Sequence, residues 1–266
     1  MDRIVASAVQ HHIEGIELRG LGDEIDVTKL LAFSVSVDQT ISLLRASGIQ
    51  VPCLSTSVAL VCPAGSRWQG MLEECQRHAE LAAALGSPFV RVFGGSATGG
   101  LSDDEALILA RRRIRQVVKL CRPYHCRPIV ETHDAWSTSA RMLELLDGLD
   151  PDEVGVAWNI EHSFRANQAP DNFVETINPF LAYVHVRDSL VKNPQNTPML
   201  LGEGEIPLKQ SLKALHMANY HGWISLETDK RWQPDAPAPQ DSIPQFAAFM
   251  RSHLNIASPR SAAGAS

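Results

Sequence analysis

Tyr183-Val184-His185-Val186-Arg187 is a short β-branched run in which apolar and polar or aromatic residues alternate. Strand side chains alternate between faces, so the two valines point one way and Tyr183, His185 and Arg187 the other. The same parity recurs outward along the chain. In Ile129-Val130-Glu131-Thr132-His133, Glu131 lies with Ile129 and His133; in Ile224-Ser225-Leu226-Glu227-Thr228, Ser225 and Glu227 share the face opposite Ile224 and Leu226. Arg91 between Val90 and Val92, and Glu17 between Ile16 and Leu18, repeat the arrangement. The apolar members are expected on surrounding helices and the polar members inside a closed sheet. A charge there is costly unless paired or bound to a metal. Five strands with a polar group near the C-terminal end make a site, not five accidents.

Between these runs lie amphipathic stretches. Met71, Leu72, Cys75, Ala79 and Ala82 recur at helical spacing before Gly86, and Ser102 with Glu105 forms a capping box. Strands are expected over residues 15–19, 51–55, 88–93, 129–132, 155–159, 183–187 and 224–228, and the chain begins on a helix at 2–12. The pattern reads as an α/β (β/α)8 TIM barrel lacking or truncated at its first strand, with a start site inside the true gene as one explanation. A seven-stranded or open sheet is the alternative. One domain is expected over residues 1–255, with a disordered Ser-, Ala- and Gly-rich tail at 256–266. A gap in the ring leaves two sheet edges that invite pairing, which makes a homodimer a candidate assembly.

The 266 residues suit one large domain, and a hydrophobic content of 44% allows a sizeable core. A formal charge of −6 argues against a nucleic-acid backbone or an anionic membrane as partner and favours a small neutral or polar ligand. Five cysteines without a CxxC pair read as reduced thiols of a cytoplasmic protein. No apolar run approaches the roughly 18 residues of a membrane span. The long loops at 190–206 and 229–240 follow strands, where a barrel carries its catalytic face. His78, His125 and His216 lie on or beside helices and are expected to be solvated.

Glu131, His185 and Glu227 offer carboxylate, imidazole and carboxylate, a donor set for a divalent cation with open positions. Internal salt bridges with Arg91 or Arg187 are the competing reading of each residue alone. The strand endings Ile129-Val130-Glu131, Trp158-Asn159-Ile160-Glu161-His162, Tyr183-Val184-His185-Val186-Arg187-Asp188 and Ile224-Ser225-Leu226-Glu227 resemble the xylose isomerase-like barrel superfamily, in particular its sugar phosphate isomerase/epimerase branch. Leu201-Gly202-Glu203-Gly204-Glu205-Ile206 resembles the Gly-Glu-Gly turn before that family's seventh helix, and Glu14-Gly15-Ile16-Glu17-Leu18-Arg19 its second strand.

The resemblance implies that Glu131 and Glu227 ligate a metal and move protons on either face of the substrate. His185 is implied as a third ligand and His162 as a substrate contact. The family's remaining ligand is an Asp, and here the position is Asn159, whose amide oxygen can coordinate a hard cation without adding charge. Glu161 shares strand parity with Asn159 and is a candidate to compensate.

Mn2+, Mg2+, Co2+ or Zn2+ is therefore the expected cofactor, and Glu17, Arg91, His162 and Arg187 are expected to bind substrate. The expected reaction is isomerisation or epimerisation of a sugar or hydroxy-ketone by proton transfer beside the carbonyl. A polyol dehydratase begins with the same proton abstraction. A metal-free or non-catalytic barrel binding a sugar-like ligand is a further alternative. An abasic-site DNA endonuclease would need extra histidines where Ser55-Thr56-Ser57 and Phe93-Gly94-Gly95 stand.

Overall fold

Alternation of β-branched runs with helices curls the chain into a parallel sheet with helices outside. The computed structural model describes residues 1–97, 100–191, 196–228 and 230–254; the tail expected at 256–266 lies outside the described residues. Strands β1 (Cys53–Ala59), β2 (Phe89–Phe93), β3 (Arg127–Glu131), β4 (Gly155–Asn159) and β5 (Leu181–Val186) pair in chain order. A hairpin of β6 (Asp188–Leu190) and β7 (Thr197–Met199) then occupies part of the long loop, and β8 (Trp223–Leu226) returns to pair with β5. The helices are α1 (Asp2–Gln10), α2 (Leu31–Ser34), α3 (Val37–Ala46), α4 (Ser66–Leu85), α5 (Asp103–Cys121), α6 (Ser139–Leu146), α7 (Ile160–Arg165), α8 (Pro170–Ile177), α9 (Leu208–Met217) and α10 (Pro239–His253). None of the described helices is long and apolar enough to cross a membrane.

The strand expected at 15–19 is reduced to two parallel bridges, Gly15 with Gln50 and Leu18 with Leu54. It still extends the ring beside β1, because Leu18 N–H donates to Cys53 O at 3.1 Å and Ser55 N–H to Leu18 O at 2.9 Å. Glycines at both ends let the chain pass close to its neighbours. A Cβ on Gly15 would meet the Trp223 ring at 2.9 Å, and one on Gly20 the Glu24 carbonyl at 2.8 Å. The Trp223 indole thus leans from β8 across to Gly15, where the described residues place no intervening strand.

The parity read from the sequence sorts the core. Val90, Val92, Val130, Val156, Val184 and Val186 face the helices, whereas Cys53, Ile129, Ala157 and Tyr183 form a separate cluster inside the sheet, with Phe89 and Trp223 against it. Helix α4 buries Met71, Cys75, Ala79 and Ala82 and stops at Gly86, whose φ of +69° is left-handed. His78 corrects the expectation of a solvated side chain: it shares the face of Cys75 and Ala82 and is fully buried, with Nδ1 2.9 Å from the Glu74 carbonyl. Glu161 falls just past the strand end. The chain turns helical at Ile160, because the Asn159 side chain caps α7 by accepting from the His162 N–H, so strand parity ends at Asn159.

Candidate active site

One step up each strand from the inner apolar cluster, the side chains become polar. Ser55, Arg91, Glu131, Asn159 and His185 stand two residues beyond Cys53, Phe89, Ile129, Ala157 and Tyr183, and Glu17 and Glu227 join them. Asn159 is the centre of this layer. Its Nδ2 donates to Glu131 Oε1 at 2.9 Å and to Glu227 Oε2 at 2.8 Å, while Oδ1 accepts the capping N–H. Thr132 Oγ1 accepts the Asn159 backbone N–H at 2.7 Å and fixes the strand end. His185 lies between two carboxylates, with Nδ1 3.3 Å from Glu131 Oε1 and Nε2 2.8 Å from Glu17 Oε2. Glu17 also accepts from the Ser55 hydroxyl. Arg91 Nε lies 3.1 Å from Glu131 Oε2 and donates to Ser55 Oγ at 3.2 Å, and Nη1 donates to the Thr56 carbonyl at 2.9 Å. Arg187 Nε stands 2.8 Å from Glu161 Oε2 and 3.5 Å from Glu227 Oε2, and Nη2 donates to His162 Nε2 at 3.2 Å.

These contacts set the charges. Burial opposes ionisation of Glu131, but Arg91, His185 and the Asn159 amide outweigh it and hold the carboxyl well below its ordinary range. Burial likewise opposes Glu17, yet His185, Ser55 and Arg91 bring it to about 2. Burial disfavours a charged His185, and Glu17 and Glu131 reverse that, raising it well above the ordinary imidazole value. His162 goes the other way: burial, then His133 and Arg187, lower it to about 3. A neutral His162 can accept from Arg187, as the geometry requires.

Residues 5–253 match the family model described as xylose isomerase-like TIM barrel. The chain belongs to this family. No curated protein matches it. Among solved structures, the barrel resembles the probable 3-DHS dehydratase AsbF of Bacillus anthracis, with a TM-score of 0.76 and 17% identity over 95% of this chain and 93% of that one. It also resembles D-psicose 3-epimerase of Clostridium cellulolyticum H10, solved with D-tagatose, with a TM-score of 0.75 and 14% identity over 95% and 93%. A third is the IolI protein solved with a zinc atom, with a TM-score of 0.75 and 13% identity over 96% and 91%.

This xylose isomerase-like barrel brings together all eight residues singled out in the sequence. Oxygens of Glu131 and Glu227 and a nitrogen of His185 lie within 4.8 Å of one another, a group able to hold a metal ion. Glu131 Oε2 is buried with Arg91 Nε 3.1 Å away, so a cation held there would share that oxygen with the guanidinium. These three residues fit a divalent ion. Asn159 fits less well as it stands, since coordination through Oδ1 requires the amide to turn over and release both carboxylates and the helix cap. Glu161 is spent on Arg187, Arg165 and Asn196.

The sequence reading passed over Asp188. Its buried carboxylate accepts the backbone N–H groups of Gly202 at 2.7 Å, Gly204 at 3.0 Å and Ile206 at 3.1 Å. A Cβ on Gly204 would sit 2.1 Å from Asp188 Oδ1, which explains the second glycine of Gly202-Glu203-Gly204. The clasp ties the loop to the residue beside Arg187. An acidic residue directly after a strand, with a Gly-x-Gly downstream, was the available signal.

Proposed function

We propose that the protein is an isomerase or epimerase of a sugar or sugar-like hydroxy-ketone, acting by proton transfer at the carbon beside the carbonyl. The observation that carries this reading is the convergence of Glu131 and Glu227 on the Asn159 amide, one carboxylate buried and the other at the rim. Glu131, held ionised by Arg91 and His185, serves as a base on the floor. Glu227 faces the same space from β8 and returns or removes the proton on the other side of the carbon. Arg187 and His162, fixed to each other, bind substrate hydroxyls. A divalent ion such as Mn2+, Mg2+, Co2+ or Zn2+, held by Glu131, His185 and Glu227, would polarise the carbonyl and steady the charge that develops on it.

Screening ketoses, inososes and hydroxypyruvate with added metal tests the reading, with isomerised or epimerised product expected. Absence of turnover on every class, with no saturable metal binding, would sink it. A second reading has specific support. The likeness to a probable dehydratase and the shared first step make loss of a β-hydroxyl the alternative outcome. An unsaturated product absorbing in the ultraviolet would distinguish it. The metal-free barrel binding a sugar-like ligand is favoured instead if a ligand binds equally well with and without chelator.

A further inference from the structure

Asn159 stands among groups able to hold a metal ion, yet it turns the wrong end of its amide towards them. A cation is ligated by an amide oxygen, and Oδ1 is directed at the His162 N–H instead. The positive end of the amide points inward. Nδ2 donates to one oxygen of Glu131 at 2.9 Å and one of Glu227 at 2.8 Å, two of the three residues of the metal-capable group. An amide nitrogen carries two hydrogens, so both are spent on the carboxylates.

Neither the residue nor its neighbours can yield space cheaply. Asn159 is fully buried, and the Thr132 hydroxyl grips its backbone on both sides, accepting the N–H at 2.7 Å and donating to the carbonyl at 3.3 Å. Only the side chain is left to turn. Turning it gives up the helix cap and both carboxylate bonds together. The third member of the group, His185, is engaged as well, with Nε2 2.8 Å from Glu17 Oε2 and Nδ1 3.3 Å from Glu131 Oε1. Two carboxylates brought together without a positive partner would repel, and the amide hydrogens supply that partner from within the chain.

We infer that the Asn159 amide is a built-in competitor of the ion, not one of its ligands. The polar level then has two forms, one bridged by Nδ2 and one in which a divalent ion replaces the bridge. Amide hydrogens and a cation seek the same carboxylate oxygens and repel each other, so the two forms exclude one another. The inference rests on the metal-dependent part of the proposed function, and its test reads ion binding without turnover.

A ligand, a bystander and a competitor differ in the sign of their deletion. Removing a ligand weakens ion binding, removing a bystander leaves it unchanged, and removing a competitor strengthens it. Mn2+ alone is titrated calorimetrically into the purified full chain, stripped beforehand with chelator. Asn159→Ala deletes the amide and the cap together, whereas Asn159→Ser deletes the amide and keeps an oxygen able to cap α7. Both variants are expected to bind Mn2+ about ten-fold or more tightly than the wild type. Both should also melt below the wild type in chelator and gain more from the ion.

The serine variant decides the matter if the alanine variant does not fold. Binding by Asn159→Ser that is equal to or weaker than wild type overturns the inference. So does a serine variant that is unfolded in chelator and not rescued by Mn2+, because the ion then cannot replace the bridge. Equal binding by both proteins removes the competitor and leaves the metal-dependent reading standing; no binding by either removes both. If the variant binds more tightly while no isomerase or dehydratase product forms, the competitor stands and the proposed reaction falls.

Discussion

The two levels of the barrel interior stand two residues apart on the same strands and hold opposite chemistry. Cys53, Ile129, Ala157 and Tyr183 close the lower level by apolar burial, and nothing there depends on a single partner. Ser55, Arg91, Glu131, Asn159 and His185 fill the upper level, where every charge is held by another. Such ion pairs lose solvation about as fast as they gain attraction, so the upper level contributes little net stability. The lower level packs the inside of the curled sheet and leaves the upper one free to be assembled for chemistry. Changes below should therefore cost fold, and changes above should cost function.

The largest effect expected is at Glu227. Glu227→Gln should lower turnover by about a thousand-fold or more while leaving the melting temperature near wild type, since the residue sits at the rim. Near-normal turnover would remove it from the chemistry. Ile129→Ala tests the lower level: a fully buried isoleucine cut to alanine should cost about 2–5 kcal/mol in denaturant melts, with the remaining folded protein still binding ligand. A cost far below that range would mean that the inner cluster does not hold the ring.

Asn159→Asp removes the amide hydrogens shared by Glu131 and Glu227 and adds a third carboxylate. In chelator it should destabilise the fold by about 2–4 kcal/mol, and added Mn2+ should restore more than that loss, with affinity for the ion above wild type. Equal melting of variant and wild type in chelator would break the comparison at its centre. A further test is a pH slope at His162. Its folded value of about 3 lies below the ordinary imidazole range, so below about pH 6.5 the unfolded chain binds the extra proton first. Stability should fall as pH drops from about 6.5 towards 3, and His162→Gln should flatten that fall. An unchanged slope would show that the imidazole titrates normally.

Where the sequence read well, it read a period. Alternation along 129–133, 183–187 and 224–228 placed Glu131, His185 and Glu227 inside, because the strand repeat of two belongs to the backbone itself. It failed where one residue serves two elements. Asn159 ends β4 and caps α7 with the same side chain, so parity beyond it says nothing about Glu161, a candidate to compensate for the missing Asp. His78 was misplaced because helical spacing reveals a face but not what covers it; here that face packs inward, with Asp26 Oδ1 3.9 Å from its Nε2.

By itself the sequence determined the barrel class, the side of each strand that turns inward and the family of the site, because these follow from local periodicity and from residue chemistry. Tertiary structure alone decided which carboxylate meets which partner. That Glu17 faces His185 across 168 residues, that Asp188 clasps Gly202 and Gly204, and that one amide binds both Glu131 and Glu227 are consequences of curling the sheet. Charges exert their effect over a few ångströms, and only the folded chain sets those distances.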